Sequence, residues 1–136
     1  MPMSRKRKIS LSLMVLLYVV AGINHFWHEP IYESIMPPYI PYHRALVYVS
    51  GMCEIAFGLL LISAATRSIA AWLIILLLIA IFPANIQMTI NYWHTHDRGL
   101  WVSIVRLPLQ FALIWWAWVF TKTYRLLKQR SKQKYK

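Results

Sequence analysis

The chain has 136 residues, of which 59% are hydrophobic and 14% are charged, and it contains one cysteine. A soluble domain of this length carries about a quarter charged residues, so the composition argues against a soluble globular protein. The net charge is +11, but the cations cluster at the two ends and leave the middle apolar. This distribution predicts one integral membrane domain with basic ends at residues 1–8 and 122–136.

Four apolar segments of the chain have the length of a membrane span. They cover residues 9–26, 45–65, 68–93 and 100–121. About 20 residues of helix cross a hydrocarbon core of about 30 Å, and backbone polar groups inside lipid must be satisfied within their own segment. The alternation typical of strands is absent from the sequence. We therefore predict an all-α fold, an integral membrane four-helix bundle over residues 9–121.

Lysines and arginines in the short flanks set the orientation of membrane helices. Residues 1–8 hold four, the turn between the second and third segments holds Arg67, and residues 122–136 hold seven, which makes twelve. The opposite flanks hold two, Arg44 and Arg98. The asymmetry predicts that both termini are cytoplasmic. Cations beside a membrane helix also touch anionic lipid, and nothing else in the sequence predicts a nucleic-acid partner.

The outer loop over residues 28–43 contains a candidate fifth element. Pro30 suits the first turn of a short helix that runs to Met36, and Pro37-Pro38 would end it. Such a helix would lie in the interface plane as a lid over the bundle. An irregular loop anchored by tyrosines is the alternative, and the sequence leaves both open.

Polar residues inside the apolar segments concentrate toward the outer side. They are Asn24, His25, Glu54, Asn85, Arg106 and Gln110. A rise of 1.5 Å per residue places Glu54 about 15 Å below the outer flank and Arg106 about 7 Å below it. An ionised residue at mid-membrane costs at least about 2.5–3.5 kcal/mol unless it finds a partner. Because Glu54 and Arg106 are opposite in charge, we predict that they face one another or share a polar pocket.

Two interpretations of this polar cluster remain open. Buried ion pairs and amides can fasten a helix bundle, or the same side chains can form a site for a ligand or a proton. Arg106 and Gln110 are four residues apart and share a helix face, and Pro83 and Pro108 each free a backbone carbonyl nearby. The concentration of polar groups at one depth favours the ligand or proton site.

The histidines and the single cysteine limit the metal and redox chemistry that the chain can perform. His25, His28 and Glu29 form an H-x-x-H-E pattern whose side chains suit zinc or copper. That spacing is weakly specific, and we expect no metal site. Cys53 has no second thiol in the chain, which excludes an internal dithiol cycle. The sequence has no haem attachment motif, so we expect no covalent cofactor.

Several ordered motifs resemble the DoxX family. They are Gly22-Ile23-Asn24-His25-Phe26, Met36-Pro37-Pro38-Tyr39, Ser50-Gly51 through Glu54 with Gly58, Phe82-Pro83-Ala84-Asn85-Ile86, and Arg106-Leu107-Pro108-Leu109-Gln110. The likeness covers about residues 10–121 and leaves the basic ends outside it.

The resemblance implies a small multi-pass protein of the bacterial inner membrane with a four-helix bundle. It also implies kinship with vitamin K epoxide reductases and emopamil-binding sterol isomerases. Relatives in the name-giving branch are membrane subunits of a thiosulfate:quinone oxidoreductase, and others resemble partners in thiol-stress complexes. The chain lacks the paired cysteines of the epoxide reductases, so their redox chemistry is not carried over.

The leading functional interpretation is a redox-linked membrane subunit that binds a quinone or another lipophilic molecule in the outer half of the bundle. Glu54 and Arg106 would orient polar head groups or relay protons, and Asn85 and Gln110 would hydrogen-bond carbonyls. A non-catalytic lipid-binding or scaffold protein is the alternative. An isomerase-like enzyme is a weaker one, because a carboxylate beside His and Arg can move protons. The expected partners are the bilayer, a lipophilic small molecule and a membrane or redox protein.

Overall fold

A computed structural model of the chain describes residues 3–34, 36–122, 129 and 132–134. In the part of residues 3–122 that it describes, the chain forms five α-helices and no strand, which confirms the all-α prediction. They are α1 (Arg5–Trp27), α2 (Glu29–Ser34), α3 (His43–Leu60), α4 (Arg67–Thr95) and α5 (Leu100–Thr121). Most of the predicted basic tail, including Arg125, Lys128, Arg130 and Lys136, lies outside the described residues.

Three of the described helices are long and apolar enough to cross a membrane. They are α1 with 23 residues, α4 with 29 and α5 with 22. The helix α3 has 18 residues and carries Arg44 and Glu54. Large apolar side chains cover the outside of the protein, with Leu16 61% and Phe111 62% exposed. Such extensive exposed apolar surface is typical of a protein in contact with lipid.

Helix α4 lies within two residues of its predicted bounds, whereas α3 differs at its end. Helix α3 stops at Leu60 rather than at Ala65, because side chains further along the chain bind the carbonyl groups of Leu60 and of the two residues after it. The Thr66 hydroxyl donates to the Leu60 carbonyl at 2.7 Å. The buried Arg67 guanidinium donates to the carbonyls of the two residues after Leu60, at 2.8 and 2.9 Å.

The start of α1 also corrects a predicted boundary. Residues 1–8 were expected to form a basic segment ahead of a helix at Ile9, but α1 begins at Arg5. The Ser4 hydroxyl accepts a hydrogen bond from the Arg7 amide at 3.3 Å and so caps the first turn. The basic residues 5–8 therefore form the first turn of the helix.

The long helices pack as two pairs. Helix α1 lies along α3 and helix α4 lies along α5, while contacts between α3 and α4 join the pairs. The α1–α3 crossing is close, since a Cβ atom built on Gly22 would lie 2.6 Å from the carbonyl oxygen of Gly51. Glycines at this crossing let two helix backbones touch.

One end of the molecule is packed with side chains from both pairs. Met14 of α1, Ile74 of α4 and Phe120 of α5 are fully or almost fully buried there. The Ser68 hydroxyl donates to the Thr121 carbonyl at 2.7 Å, which ties the start of α4 to the end of α5. The polar residues of the predicted cluster lie toward the opposite end.

The short helix α2 (Glu29–Ser34) covers that opposite end, so the structure shows the helix among the two alternatives left open for the outer loop. Its Glu29 side chain is 8% exposed. The Arg44 guanidinium at the start of α3 donates to both carboxylate oxygens of Glu29, at 3.0 and 3.3 Å. This two-point contact holds α2 across the ends of the longer helices.

Candidate functional site

A cavity of about 110 Å³ lies between the two helix pairs, beneath α2. It is lined by side chains from all five helices and by Met36. Its polar lining residues are His25, Tyr32, Ser50, Glu54, Asn85 and Arg106. Four of the six predicted site residues therefore meet at one cavity.

Glu54 provides the most unusual group in this cavity. Its side chain is 8% exposed, and its Oε2 lies 3.1 Å from Nδ1 of His25. The same Nδ1 lies 2.8 Å from the Ala21 carbonyl oxygen. Both oxygens are acceptors, so Nδ1 is the donor, and of the two acceptors the Ala21 carbonyl is the one aligned for a hydrogen bond. Oε2 of Glu54 consequently receives no directed hydrogen bond from the described part of the chain.

Of the two arrangements predicted for Glu54 and Arg106, the structure shows a shared cavity and no direct contact. Within the described residues the Glu54 carboxylate pairs with His25, and Arg106 Nη1 contacts the sulfur of Met88 at 3.5 Å. The cause is the helix arrangement, since α3 packs on α1 and α4, whereas Arg106 belongs to α5. Glu54 and Arg106 instead line the same cavity from different helices.

The two buried amides hold α4 against α5. Asn85 Nδ2 donates to Gln110 Oε1 at 2.7 Å, and Gln110 Nε2 donates to the Leu78 carbonyl. Gln110 is 3% exposed and is absent from the cavity lining, whereas Asn85 contributes to it. The hydrogen bonds of Gln110 are thus those of a residue that holds α5 against α4. Its predicted contact with a ligand stays a prediction.

Asn24 lies apart from the first cavity and lines a second, more open one of about 250 Å³. Its amide nitrogen donates to the Tyr32 hydroxyl at 2.7 Å, and its amide oxygen accepts from His28 Nδ1 at 2.6 Å. Arg106 and Tyr32 line both cavities. Asn24 therefore lies at the second cavity and contacts Tyr32, which lines both.

Tyr32 is a site residue that the sequence did not single out. Its ring stacks on the His25 imidazole, with 4.0 Å between ring centroids and 21° between planes. The signal for this role was its position in α2, because a helix lying over the bundle must point one face into it. Only the packing of α2 shows which side chain that is.

Tyr18 is a second residue that the sequence did not single out. It is 3% exposed, and its hydroxyl is buried with no hydrogen-bond partner in the described residues. The spacing Tyr18, Gly22, His25 places all three on one face of α1, and Tyr18 is close enough to Glu54 for the two to interact electrostatically. The available signal was a tyrosine on the same helix face as His25.

The histidines do not converge on a metal site in the described chain. His25 contacts Glu54 and Ala21, whereas His28 hydrogen-bonds Asn24. Among the residues that the structure describes, no group of three histidine, cysteine, aspartate or glutamate side chains is arranged to hold an ion.

A family model described as a domain of unknown function, DUF8561, matches residues 14–121, which is most of the chain. The chain belongs to this family. The matched region contains every residue of the cavity. No curated protein and no solved structure matches the chain. The resemblance to the DoxX family stays a prediction from the motifs.

Proposed function

We propose that this DUF8561 member is a four-helix protein of the bacterial inner membrane, with both termini in the cytoplasm, that binds a lipophilic molecule in the cavity under α2. The exposed side of α3 supports a fourth span, since Val49, Met52 and Leu59 are all more than half exposed while Glu54 points inward. The asymmetry of lysines and arginines, twelve against two, supports the orientation.

The observation that carries the binding proposal is the separation of Glu54 and Arg106 by a cavity. If the two served only to fasten the bundle, the low dielectric of a membrane interior would favour their direct contact. Instead the Glu54 carboxylate keeps an oxygen without a donor, and the Arg106 guanidinium has a thioether for its neighbour. A polar head group between the two would satisfy both.

A quinone, in its oxidised or reduced form, is the ligand class that we propose. Its ring would lie against the apolar lining, which includes Val47 and Ile81, and its oxygen atoms would meet Arg106. As a redox-linked subunit, the protein would hold the quinone and leave electron transfer to a membrane or redox protein partner. The likeness to DoxX motifs supports this choice.

Retention of a short-chain quinone by the reconstituted protein tests the proposal. The protein in nanodiscs is loaded with the quinone in its oxidised or its reduced form, exchanged against quinone-free nanodiscs and extracted. We expect about one quinone per chain in one or both forms, and at least about tenfold weaker retention in Arg106→Met, which removes charge-assisted hydrogen bonds.

The matched control is Arg98→Met, the same substitution at an exposed residue that does not line the cavity. It should retain the quinone like the natural chain. Retention that is negligible in every protein, or equal in Arg106→Met and Arg98→Met, would contradict the proposal.

A scaffold protein is the second candidate, and the Asn85–Gln110 hydrogen bond favours it. That pair shows that part of the polar cluster fastens helices. An empty cavity in the extracted protein, together with a protein partner that survives extraction, would select this alternative.

A further inference from the structure

Glu54 and Arg106 line the cavity from different helices, and they call for opposite hydrogen-bonding partners. We call the two sides of the cavity that they form its walls. We propose that the cavity selects a head group that carries a hydrogen-bond donor as well as an acceptor, such as a hydroquinone or a phenol, over the same head with acceptors alone. This selectivity rests on the proposed function, because it concerns which lipophilic molecule the cavity holds.

The wall formed by α1 and α3 presents an acceptor. Oε2 of Glu54 is buried, and no donor in the described residues directs a hydrogen at it. The nearest nitrogen, Nδ1 of His25, lies 3.1 Å away but is aligned with the Ala21 carbonyl rather than with Oε2. A carboxylate oxygen that lacks a donor is satisfied by a hydrogen-bond donor on the ligand.

The wall formed by α5 presents donors. Arg106 carries a planar guanidinium with five N–H groups, and its contact in the described structure is the weakly accepting sulfur of Met88 at 3.5 Å. Arg106 lines both the 110 Å³ and the 250 Å³ cavities. This wall is satisfied by an oxygen acceptor on the ligand.

A head group that spans the cavity therefore meets an acceptor on one side and donors on the other. A hydroquinone or phenol hydroxyl donates to Glu54 and also offers lone pairs. A quinone or an aryl ether brings only lone pairs, which would face the Glu54 carboxylate without a hydrogen between them. Leaving a buried carboxylate unsatisfied opposes binding, and the reduced member of a quinone couple is then the preferred ligand.

A redox-inert pair of probes tests this selectivity. Para-decylphenol and para-decylanisole share a ring and a chain and differ in whether the oxygen on the ring carries a hydrogen or a methyl group. Each competes with the short-chain hydroquinone for the protein in nanodiscs, and its binding is corrected for partition into empty nanodiscs. We expect the phenol to bind about tenfold or more tightly than the ether, the factor typical of a hydrogen bond to a charged group.

Two variants test which wall of the cavity causes the preference for the phenol. In Glu54→Gln the amide offers N–H donors of its own, so the preference for the phenol should vanish or reverse. Arg106→Met should weaken both probes and leave their ratio above unity. The comparison of the two probes on the natural chain stands even if a variant fails to fold.

The outcomes separate this inference from the proposed function. Equal binding of phenol and ether, with the quinone still retained, would overturn the inference and leave the proposed function intact. A preference that persists in Glu54→Gln would also overturn it. No binding of either probe or of the quinone couple would overturn both.

Discussion

The chemistry of the cavity depends on the Glu54 carboxylate. Two side chains from different helices are candidates for its partner. His25 lies 3.1 Å away on α1, whereas Arg106 lines the cavity from α5 without contact. Buried groups in contact show coupled effects on stability, whereas separated groups show nearly additive ones.

A double-mutant cycle distinguishes these partners. For Glu54→Gln combined with His25→Phe, which keeps a ring against Tyr32, we expect a coupling of about 1–3 kcal/mol in the free energy of unfolding in detergent. For Glu54→Gln combined with Arg106→Met we expect a smaller coupling, below about 1 kcal/mol, because no direct contact is lost. A larger coupling with Arg106 would restore the direct ion pair that the sequence suggested.

Removal of the Tyr18 hydroxyl is expected not to lower the free energy of unfolding, unlike the removal of a group that is hydrogen-bonded. The hydroxyl is buried and has no partner in the described chain, so Tyr18→Phe removes a group that is desolvated without a hydrogen bond. We expect the variant to unfold with an unchanged free energy or one higher by about 1 kcal/mol.

Tyr32→Phe is the matched control for that change. Its hydroxyl accepts from Asn24 at 2.7 Å, so its loss should lower the free energy of unfolding by about 1 kcal/mol. A clear loss in Tyr18→Phe as well would mean that water or a ligand satisfies Tyr18 in the membrane.

At the level of helices, the α1–α3 crossing positions His25 against Glu54. A Cβ atom on Gly22 would lie 2.6 Å from the Gly51 carbonyl oxygen, which is backbone and cannot turn aside. Gly22→Ala must therefore separate the two helices, and we expect it to lower the free energy of unfolding by about 1–3 kcal/mol. It should also weaken retention of the quinone.

Gly58→Ala is the matched control on the same interface. Its Cβ atom would lie 3.3 Å from side-chain atoms of Tyr18 and Val19, and alanine favours the helix by about 1 kcal/mol over glycine. We expect a change within about 1 kcal/mol of zero. Thermal unfolding of both variants in one detergent makes the comparison, and equal losses would refute the crossing.

The helix α2 is tied down by a contact that depends on pH. The Arg44 guanidinium, which donates to Glu29, holds the pKa of that carboxyl below its usual value of 4.5. Because the pKa of Glu29 is lowered, the contact stabilises the position of α2 over the longer helices above pH 4.5. This stabilisation disappears as pH falls through the lowered pKa. We expect amide hydrogen exchange in α2 to be slow at pH 7. Below pH 4.5, the protection of the α2 amides should decrease relative to that of the α4 amides.

Arg44→Met removes the cation and leaves Glu29 buried. Exchange in α2 should then be faster at pH 7, and its pH dependence should follow the intrinsic chemistry of exchange alone. If the natural chain and Arg44→Met show the same protection of α2 at neutral pH, Arg44 does not hold the helix in place.

At the level of the whole molecule, the sequence predicts the long helices because each of them is a continuous apolar segment of the length that a membrane span needs. It does not predict where α3 ends, because Thr66 and Arg67 stop that helix through contacts made after the chain has turned. Nor does it predict the partner of Glu54. Four long helices can be arranged in several orders, and only the α1–α3 pairing brings His25 to Glu54.

The measurement that tests ligand binding most directly is native mass spectrometry of the gently extracted natural chain, followed by identification of the lipids that travel with it. We predict a stoichiometric quinone or isoprenoid species that is lost in Arg106→Met and kept in Arg98→Met. A chain that carries no small molecule, or one whose bound lipid is the same in both variants, would contradict a binding function for the cavity.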